Sequence, residues 1–143
     1  MKYGFTLVET ALTLAVAGLL LGIALPRLSA LKEGVTVERA AQGIAAAHRR
    51  ARTTAIVHGR PAILSVAAQT LRITLVGAGE PHWSSPGPSQ DGVTLAGPPR
   101  DLTFSPLGIT TGLSNASFPL TLGSASRTVV VSRLGRVRIL RGP

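Results

Sequence analysis

The run from Phe5 to Leu25 is apolar, and the only ionisable side chain in it is that of Glu9. An α-helix rises about 1.5 Å per residue, so a helix over this run would be roughly 30 Å long, the thickness of the hydrocarbon core of a bilayer. A carboxylate in such a helix is costly unless it is paired or protonated. The run therefore predicts a membrane-spanning helix in which Glu9 has a specific role.

The flanks of this run differ from those of an ordinary secretory signal. Such a signal has an apolar core of about 7–15 residues followed by a small-residue cleavage site. Here the run is longer, no such site follows it, and the Gly4-Phe5 junction precedes it. Pro26 ends the run, and proline removes a helical hydrogen bond and clashes with the preceding turn. Pro26 is interpreted as a point where the helix leaves the membrane, bends, or does both.

These features resemble the N-terminus of type IV prepilins and type II secretion pseudopilins. The resemblance implies that a prepilin peptidase cleaves between Gly4 and Phe5, that the leader (residues 1–4) is removed, and that the new Phe5 amine is methylated. Residues 5–26 would remain as a transmembrane assembly helix, with Pro26 at its end. Glu9 would meet the N-terminal amine of a neighbouring subunit during filament assembly. Alternatively, Glu9 only reaches toward the headgroups at its own end of the helix.

Residues 27–60 have the pattern of an amphipathic helical stalk. Small and apolar residues recur at spacings of three and four on one helix face, together with one histidine: Val37, Ala41, Ile44, His48, Ala51 and Ala55. His48 is interpreted as a packing residue rather than a ligand. Gly59 and Pro61 predict the end of this helix.

Beyond Pro61 the pattern changes to short strands separated by turn residues, which predicts a β-rich head over residues 61–143. Residues 77–92 are expected to form a long loop. The predicted strands are Ala62–Ala67, Thr70–Val76, Val93–Leu95, Leu102–Phe104, Phe118–Leu122, Arg127–Ser132 and Arg136–Leu140. The predicted fold class is α+β, with a long N-terminal helix, transmembrane in its first half and amphipathic in its second, packed on an antiparallel head.

Three further elements narrow the resemblance to the GspH/FimT-type minor pseudopilins. They are Ala51-Arg52-Thr53-Thr54-Ala55-Ile56, Leu102-Thr103-Phe104-Ser105-Pro106-Leu107-Gly108, and the closing segment from Val129 to Arg138. They occur in the order of that family across nearly the whole chain. The resemblance implies a pilin-like fold and a single-pass inner-membrane protein with a periplasmic C-terminal head. Its expected partners are other pilins or pseudopilins in a hetero-oligomeric filament.

The C-terminal arginines are candidates for contact with an anion. In a strand over Arg136–Leu140, Arg136 and Arg138 would project from one face, with Arg133 nearby across the turn. Gly135-Arg136-Val137-Arg138 resembles the G-R-x-R element of FimT-type minor pilins that bind DNA during natural transformation. The resemblance implies that Arg136 and Arg138 contact the DNA backbone. A solvated face of an edge strand, in a purely structural tip or priming subunit of a secretion pseudopilus, is the alternative.

The composition limits the remaining functions. The formal net charge is +9, and thirteen of the fifteen basic residues are arginine, which favours anionic partners. The chain has no cysteine, so it can form no disulfide and no cysteine-based zinc site or nucleophile. His48, His58 and His82 lack metal-ligand spacing, and the few acids predict no paired-carboxylate site. We therefore expect no catalytic residue, no metal and no cofactor.

Overall fold

The structure is a computed structural model that describes residue 4 and residues 6–112, 115–132 and 134–142. Helix α1 runs over Leu7–His58 and has 52 residues. The chain divides into two compact units, the first ending at Lys32 and the second beginning at Glu33.

In the first unit, α1 is a helix with an apolar, exposed surface. Its leucine, valine and isoleucine side chains are all exposed, Val16 the least at 49%. The helix is long and apolar enough to cross a membrane. It continues through Pro26, whose ring would meet the carbonyl four residues earlier. That earlier residue is Gly22, the residue type whose backbone adjusts most readily.

In the second unit, the rest of α1 packs against a β-rich head. The head has nine strands among the described residues: β1 (Ala62–Val66), β2 (Thr70–Leu75), β3 (Trp83–Pro86), β4 (Thr94–Leu95), β5 (Arg100–Phe104), β6 (Thr110–Thr111), β7 (Ala116–Leu122), β8 (Ala125–Val131) and β9 (Val137–Arg141). One antiparallel sheet has the order β3-β2-β1-β5-β6 and the other the order β4-β7-β8-β9.

The core lies between α1 and the inner faces of the strands. Alternate residues of β1 and β2 are buried, and small side chains on α1 let the strands approach closely. The buried residues of α1 are Val37, Ala41, Ile44, Ala45, Ala47, His48, Ala51, Thr54 and Ala55. His48 is buried, as its packing interpretation predicted, and its ring meets that of Phe104 edge-on at a centroid distance of 4.9 Å.

The outer strands of both sheets are short or carry residues that discourage further pairing. β4 and β6 have two residues each, and β3 ends at Pro86. β9 has exposed arginines at Arg138 and Arg141. These are features that protect sheet edges from pairing with other chains.

The predicted fold class is confirmed. All seven predicted strands are present with bounds that differ by one or two residues, and the structure adds two strands that were not predicted. The segment 77–92, predicted as a loop, contains β3 and a short 3₁₀ helix over Pro88–Asp91. β3 forms because it pairs with β2, placing Trp83 opposite Ile73, although its own sequence has no apolar alternation. β6 was not predicted, because its two threonines form a strand only by pairing with β5.

Candidate functional site

The start of α1 is capped by a hydrogen bond between Thr6, which precedes the helix, and Glu9 in its first turn. The backbone N–H of Glu9 donates to Oγ1 of Thr6 at 3.2 Å, which is the N-cap arrangement. The pair also has the spacing of a capping box. Glu9 is exposed in the first turn, where the helix dipole favours a negative charge. Gly4 precedes this cap and is exposed, whereas Phe5 lies outside the described residues.

Pro26 does not interrupt the helix. The hydroxyl of Ser29 donates to the carbonyl oxygen of Pro26 at 2.9 Å, one turn further on. The bond that proline removes is the one to the carbonyl of Gly22, so the Ser29 bond is an additional side-chain contact within the helix.

The β8–β9 turn is held by three hydrogen bonds around Ser132. The N–H of Ser132 donates to the carbonyl of Arg136 at 2.9 Å, and the N–H of Gly135 donates to the carbonyl of Ser132 at 2.9 Å. The N–H of Arg136 donates to Oγ of Ser132 at 3.2 Å. Gly135 has a φ of 72°, a conformation that favours glycine.

Arg136 and Arg138 are both exposed, next to and within β9. β9 begins one residue later than predicted, so Arg136 belongs to the turn rather than to the strand. Val137 and Ile139 pack against the core, as the alternation predicted, and Arg138 lies between them opposite Val130. Arg133 lies outside the described residues.

The structure adds Arg52 of α1 to these two arginines. The three line one cavity of about 490 Å³, together with Ser132, Leu134 and Gly135. The side chains of Arg52, Arg136 and Arg138, which we call the arginine cluster, have no hydrogen bond or ion pair to any described residue. The sequence did not assign Arg52 to this site, because only the packing of α1 beside the turn brings it there. The available signal was its position next to Ala51, which belongs to the periodic pattern of the buried helix face.

Arg127 behaves differently from the cluster, because it is bound to the helix. Its Nε donates to Oε2 of Glu38 at 2.8 Å, and its side chain is 15% exposed. The hydrogen bond from Arg127 is the main cause that lowers the pKa of Glu38; a second bond from Gln42 and the charges of Arg127 and Arg141 add to it. Arg127 therefore joins the second sheet to α1 and is not available to an external anion.

A second contact between α1 and the same sheet is made at the β7–β8 turn. The carboxylate of Glu33 accepts hydrogen bonds from the N–H of Ser124 at 3.0 Å and from its hydroxyl at 3.2 Å. Gly123 has a φ of 54°, and a β-carbon at that position would collide with the Glu33 carboxylate. Glu33 and Glu38 thus serve the packing of the head.

His48 is a buried titratable group with an unsatisfied nitrogen. Its side chain is 2% exposed, and its Nε2 has no hydrogen-bond partner among the described residues. Burial is the main cause that lowers the pKa of His48, and the positive charges of Arg52 and Arg49 lower it further. The imidazole is therefore held in its neutral form.

An apolar helical start that continues into an amphipathic stalk, with two antiparallel sheets packed on the stalk, defines a pilin-like subunit. The family model described as "Type II transport protein GspH" matches residues 40–135. The chain belongs to this GspH family.

Individual relatives agree with the family match. The chain is 32% identical over 157 residues to pilin-like protein PilA1 of Thermus thermophilus, covering 96% of this chain and 98% of that protein. Its fold matches two crystal forms of the type IV minor pilin FimU of Pseudomonas aeruginosa. In the P65 form the TM-score is 0.57 at 18% identity, over 72% of this chain and 91% of FimU. In the P21 form the TM-score is 0.59 at 19% identity, over 79% of this chain and 92% of the FimU chain.

The chain is therefore a minor pilin or pseudopilin subunit of a type IV pilus or a type II secretion system, and it assembles with other pilins in a filament. The predicted GspH/FimT-type resemblance is confirmed. The apolar helical segment in the first unit fits a single-pass inner-membrane protein of pili.

Proposed function

We propose that the subunit enters its filament through residues 5–26, after a prepilin peptidase has cut between Gly4 and Phe5 and the Phe5 amine has been methylated. Glu9 then pairs with the N-terminal amine of a neighbouring subunit. The capped first turn and the exposed apolar surface support this proposal. In a bilayer or a filament core, a carboxylate with no partner would be strongly disfavoured, whereas one facing an amine is stabilised.

In the same proposal, residues 1–4 are the leader and residues 5–26 the anchor in the inner membrane. The stalk (residues 27–60) and the head (residues 61–143) lie on the periplasmic side. The exposed arginines of the head then meet molecules that enter or leave the cell envelope.

We further propose that the head binds the backbone of DNA through Arg136 and Arg138, together with Arg52, and that it serves DNA uptake. Arg133 belongs to the same predicted site and lies outside the described residues. The observation that carries this proposal is the arginine cluster: three exposed guanidinium groups around one cavity, none of them paired within the described residues. Guanidinium groups form two parallel hydrogen bonds to a phosphate, and phosphate contacts dominate affinity for DNA.

DNA binding through these arginines should weaken as the salt concentration rises. Three phosphate contacts give a slope of log K against log salt of about −2.7, since each contact contributes about −0.9. Raising the salt from 50 to 200 mM should then weaken binding by about 40-fold. Contacts to the backbone carry no sequence information of their own.

The test is fluorescence anisotropy of a labelled 30-base-pair duplex with the full chain in neutral detergent micelles. Arg136→Gln/Arg138→Gln should lower affinity at 50 mM salt at least about tenfold and reduce the slope by about 1.8, because two contacts are lost. The matched control is Arg39→Gln/Arg72→Gln, which removes the same charge from two exposed positions on α1 and β2.

Equal losses in the two double variants would mean that overall charge, and not the cluster, holds the DNA. Absence of wild-type binding at 50 mM salt would refute the proposal. The subunit would then be a structural tip or priming subunit of a secretion pseudopilus, and loss of secretion with normal transformation in a deletion strain would support that role.

A further inference from the structure

Two leucines at the tips of neighbouring turns are among the most exposed apolar side chains of the head. Leu134 in the β8–β9 turn is 92% exposed, and Leu107 in the β5–β6 turn is 80% exposed. Ile56 and Ile109 beside them are 49% and 58% exposed. A contiguous exposed apolar patch rimmed by polar groups usually marks an interaction site.

Both turns border the arginine cluster. A β-carbon on Gly108, in the β5–β6 turn, would lie 2.7 Å from Cδ1 of Ile56 and 3.1 Å from Nε of Arg52. A β-carbon on Gly135, in the β8–β9 turn, would lie 3.8 Å from Cγ2 of Thr110. The leucines are thus presented beside Arg52 on one side and Arg136 on the other.

The turns that carry the leucines are internally bonded. In the β5–β6 turn, the N–H of Gly108 donates to the carbonyl of Ser105 at 2.8 Å, and the N–H of Ser105 donates to the carbonyl of Ile109 at 2.9 Å. The β8–β9 turn has the three bonds around Ser132 described above. A fixed turn loses little conformational entropy when its tip enters a binding partner.

We infer that Leu134 enters the minor groove of duplex DNA while Arg52 and Arg136 contact the phosphates of the two strands that border the groove. This inference rests on the proposed DNA binding and adds the groove that the head recognises. The minor groove is about 6 Å wide and 7.5 Å deep, which admits a single side chain at the tip of a turn. Apolar side chains inserted from the minor groove are a known means of gripping DNA.

Charge favours DNA over a second protein as the occupant. The leucines stand within a positively charged rim, and none of the described residues of the cavity is acidic. The partner must therefore combine negative charge with a furrow that accepts an apolar side chain. The minor groove does so, because phosphates border it and deoxyribose C–H groups form its walls.

A leucine in this groove implies a preference among bases. A G·C pair places the exocyclic N2 amine of guanine in the minor groove, whereas an A·T pair presents only acceptors there. Leucine cannot accept a hydrogen bond, so it would cover the amine without replacing the bonds that the amine makes with water. Inosine lacks this amine and leaves the major-groove pattern of guanine unchanged, so it isolates the effect.

The experiment compares a G·C-rich duplex with the same duplex in which inosine replaces guanine, using the full chain in neutral detergent at 50 mM salt. The wild-type chain should bind the inosine duplex at least about fivefold more tightly. Leu134→Ser should bind both duplexes with equal affinity, while Trp83 fluorescence shows that the head remains folded. Val76→Ser, at a 46% exposed apolar position outside the patch, should keep the wild-type ratio.

Equal binding of the two duplexes by the wild-type chain would overturn the inference and leave phosphate binding intact. A wild-type ratio that persists in Leu134→Ser would also overturn it. Loss of cross-linking between this variant and a neighbouring pilin head would then assign the leucine to a protein contact. If the wild-type chain bound neither duplex, the proposed DNA binding would fail together with the inference.

Discussion

Acid should weaken the packing of the head on α1 through one side chain, His48. The imidazole is buried, its Nε2 has no hydrogen-bond partner among the described residues, and burial together with Arg52 and Arg49 lowers its pKa. The unfolded chain therefore binds a proton at His48 more readily than the folded chain does. The neutral form is the one that fits the fold.

The sign and size of the effect follow from this difference. The stability associated with neutral His48 is fully present above the ordinary histidine pKa of 6.5. It is lost as the pH falls from there toward the lowered pKa of the folded state, by about 1.4 kcal/mol per pH unit at most. At pH 5.5 the loss is therefore up to about 1.4 kcal/mol.

The assay is urea unfolding of the full chain in neutral detergent, measured at pH 7.5, 6.5 and 5.5. Trp83 is the only tryptophan and lies in β3 with Arg50 5.1 Å from its ring, so its fluorescence reports on the head. His48→Leu removes the unsatisfied nitrogen and the edge-on contact with Phe104. Removing the unsatisfied nitrogen should stabilise the fold by about 1–3 kcal/mol. Losing the ring contact should cost about 0.5–1.5 kcal/mol.

The pH dependence is the decisive measurement. The free energy of unfolding of His48→Leu should be nearly constant from pH 7.5 to 5.5, whereas that of the wild-type chain should fall. Val76→Ser is the control: it changes an exposed side chain and removes no titratable group, so this variant should keep the wild-type dependence. An equal fall in wild-type and His48→Leu chains would refute the assignment of the effect to His48.

Two further predictions concern the carboxylates of α1. Glu38→Gln should cost roughly 0.5–1 kcal/mol at pH 7, a modest amount because the Glu38 side chain is 41% exposed and solvent weakens the pair with Arg127. Since the pKa of Glu38 is lowered in the fold, this cost should shrink as the pH falls below 4.5, and a cost that persisted at pH 3 would contradict the ion-pair explanation. Glu9→Ala should remain in the membrane fraction but be absent from sheared filaments, whereas Glu80→Gln should be incorporated normally. Normal incorporation of Glu9→Ala would remove Glu9 from the assembly contact.

The elements with strong local patterns could be predicted from the sequence. α1 follows from the apolar run and from the spacing of small residues up to Ala55, and Gly59 ends it with a φ of 58°. β1 and β2 follow from apolar residues that alternate or form a short run. In contrast, β3 and β6 exist because a neighbouring strand supplies their hydrogen bonds, and that information is not local.

The residues of the candidate site also differ in whether a local sequence pattern predicts them. Arg136 and Arg138 could be found from their short motif, because both belong to one turn and one strand. Arg52 is about eighty residues away in the sequence and joins them only through the packing of α1 beside the β8–β9 turn. The 92% exposure of Leu134 likewise depends on how the neighbouring elements pack, which its position in a turn does not specify.

The blunted edges of the two sheets have a consequence for how this subunit can polymerise. A filament holds many copies at close quarters, which is the condition under which open strands fuse into aggregates. Here another strand would meet only two residues at β4 or β6, a tertiary amide without an N–H at Pro86, or the guanidinium groups of β9. These edges therefore disfavour strand pairing between heads, which leaves the proposed contacts between the N-terminal helices as the route by which the filament grows.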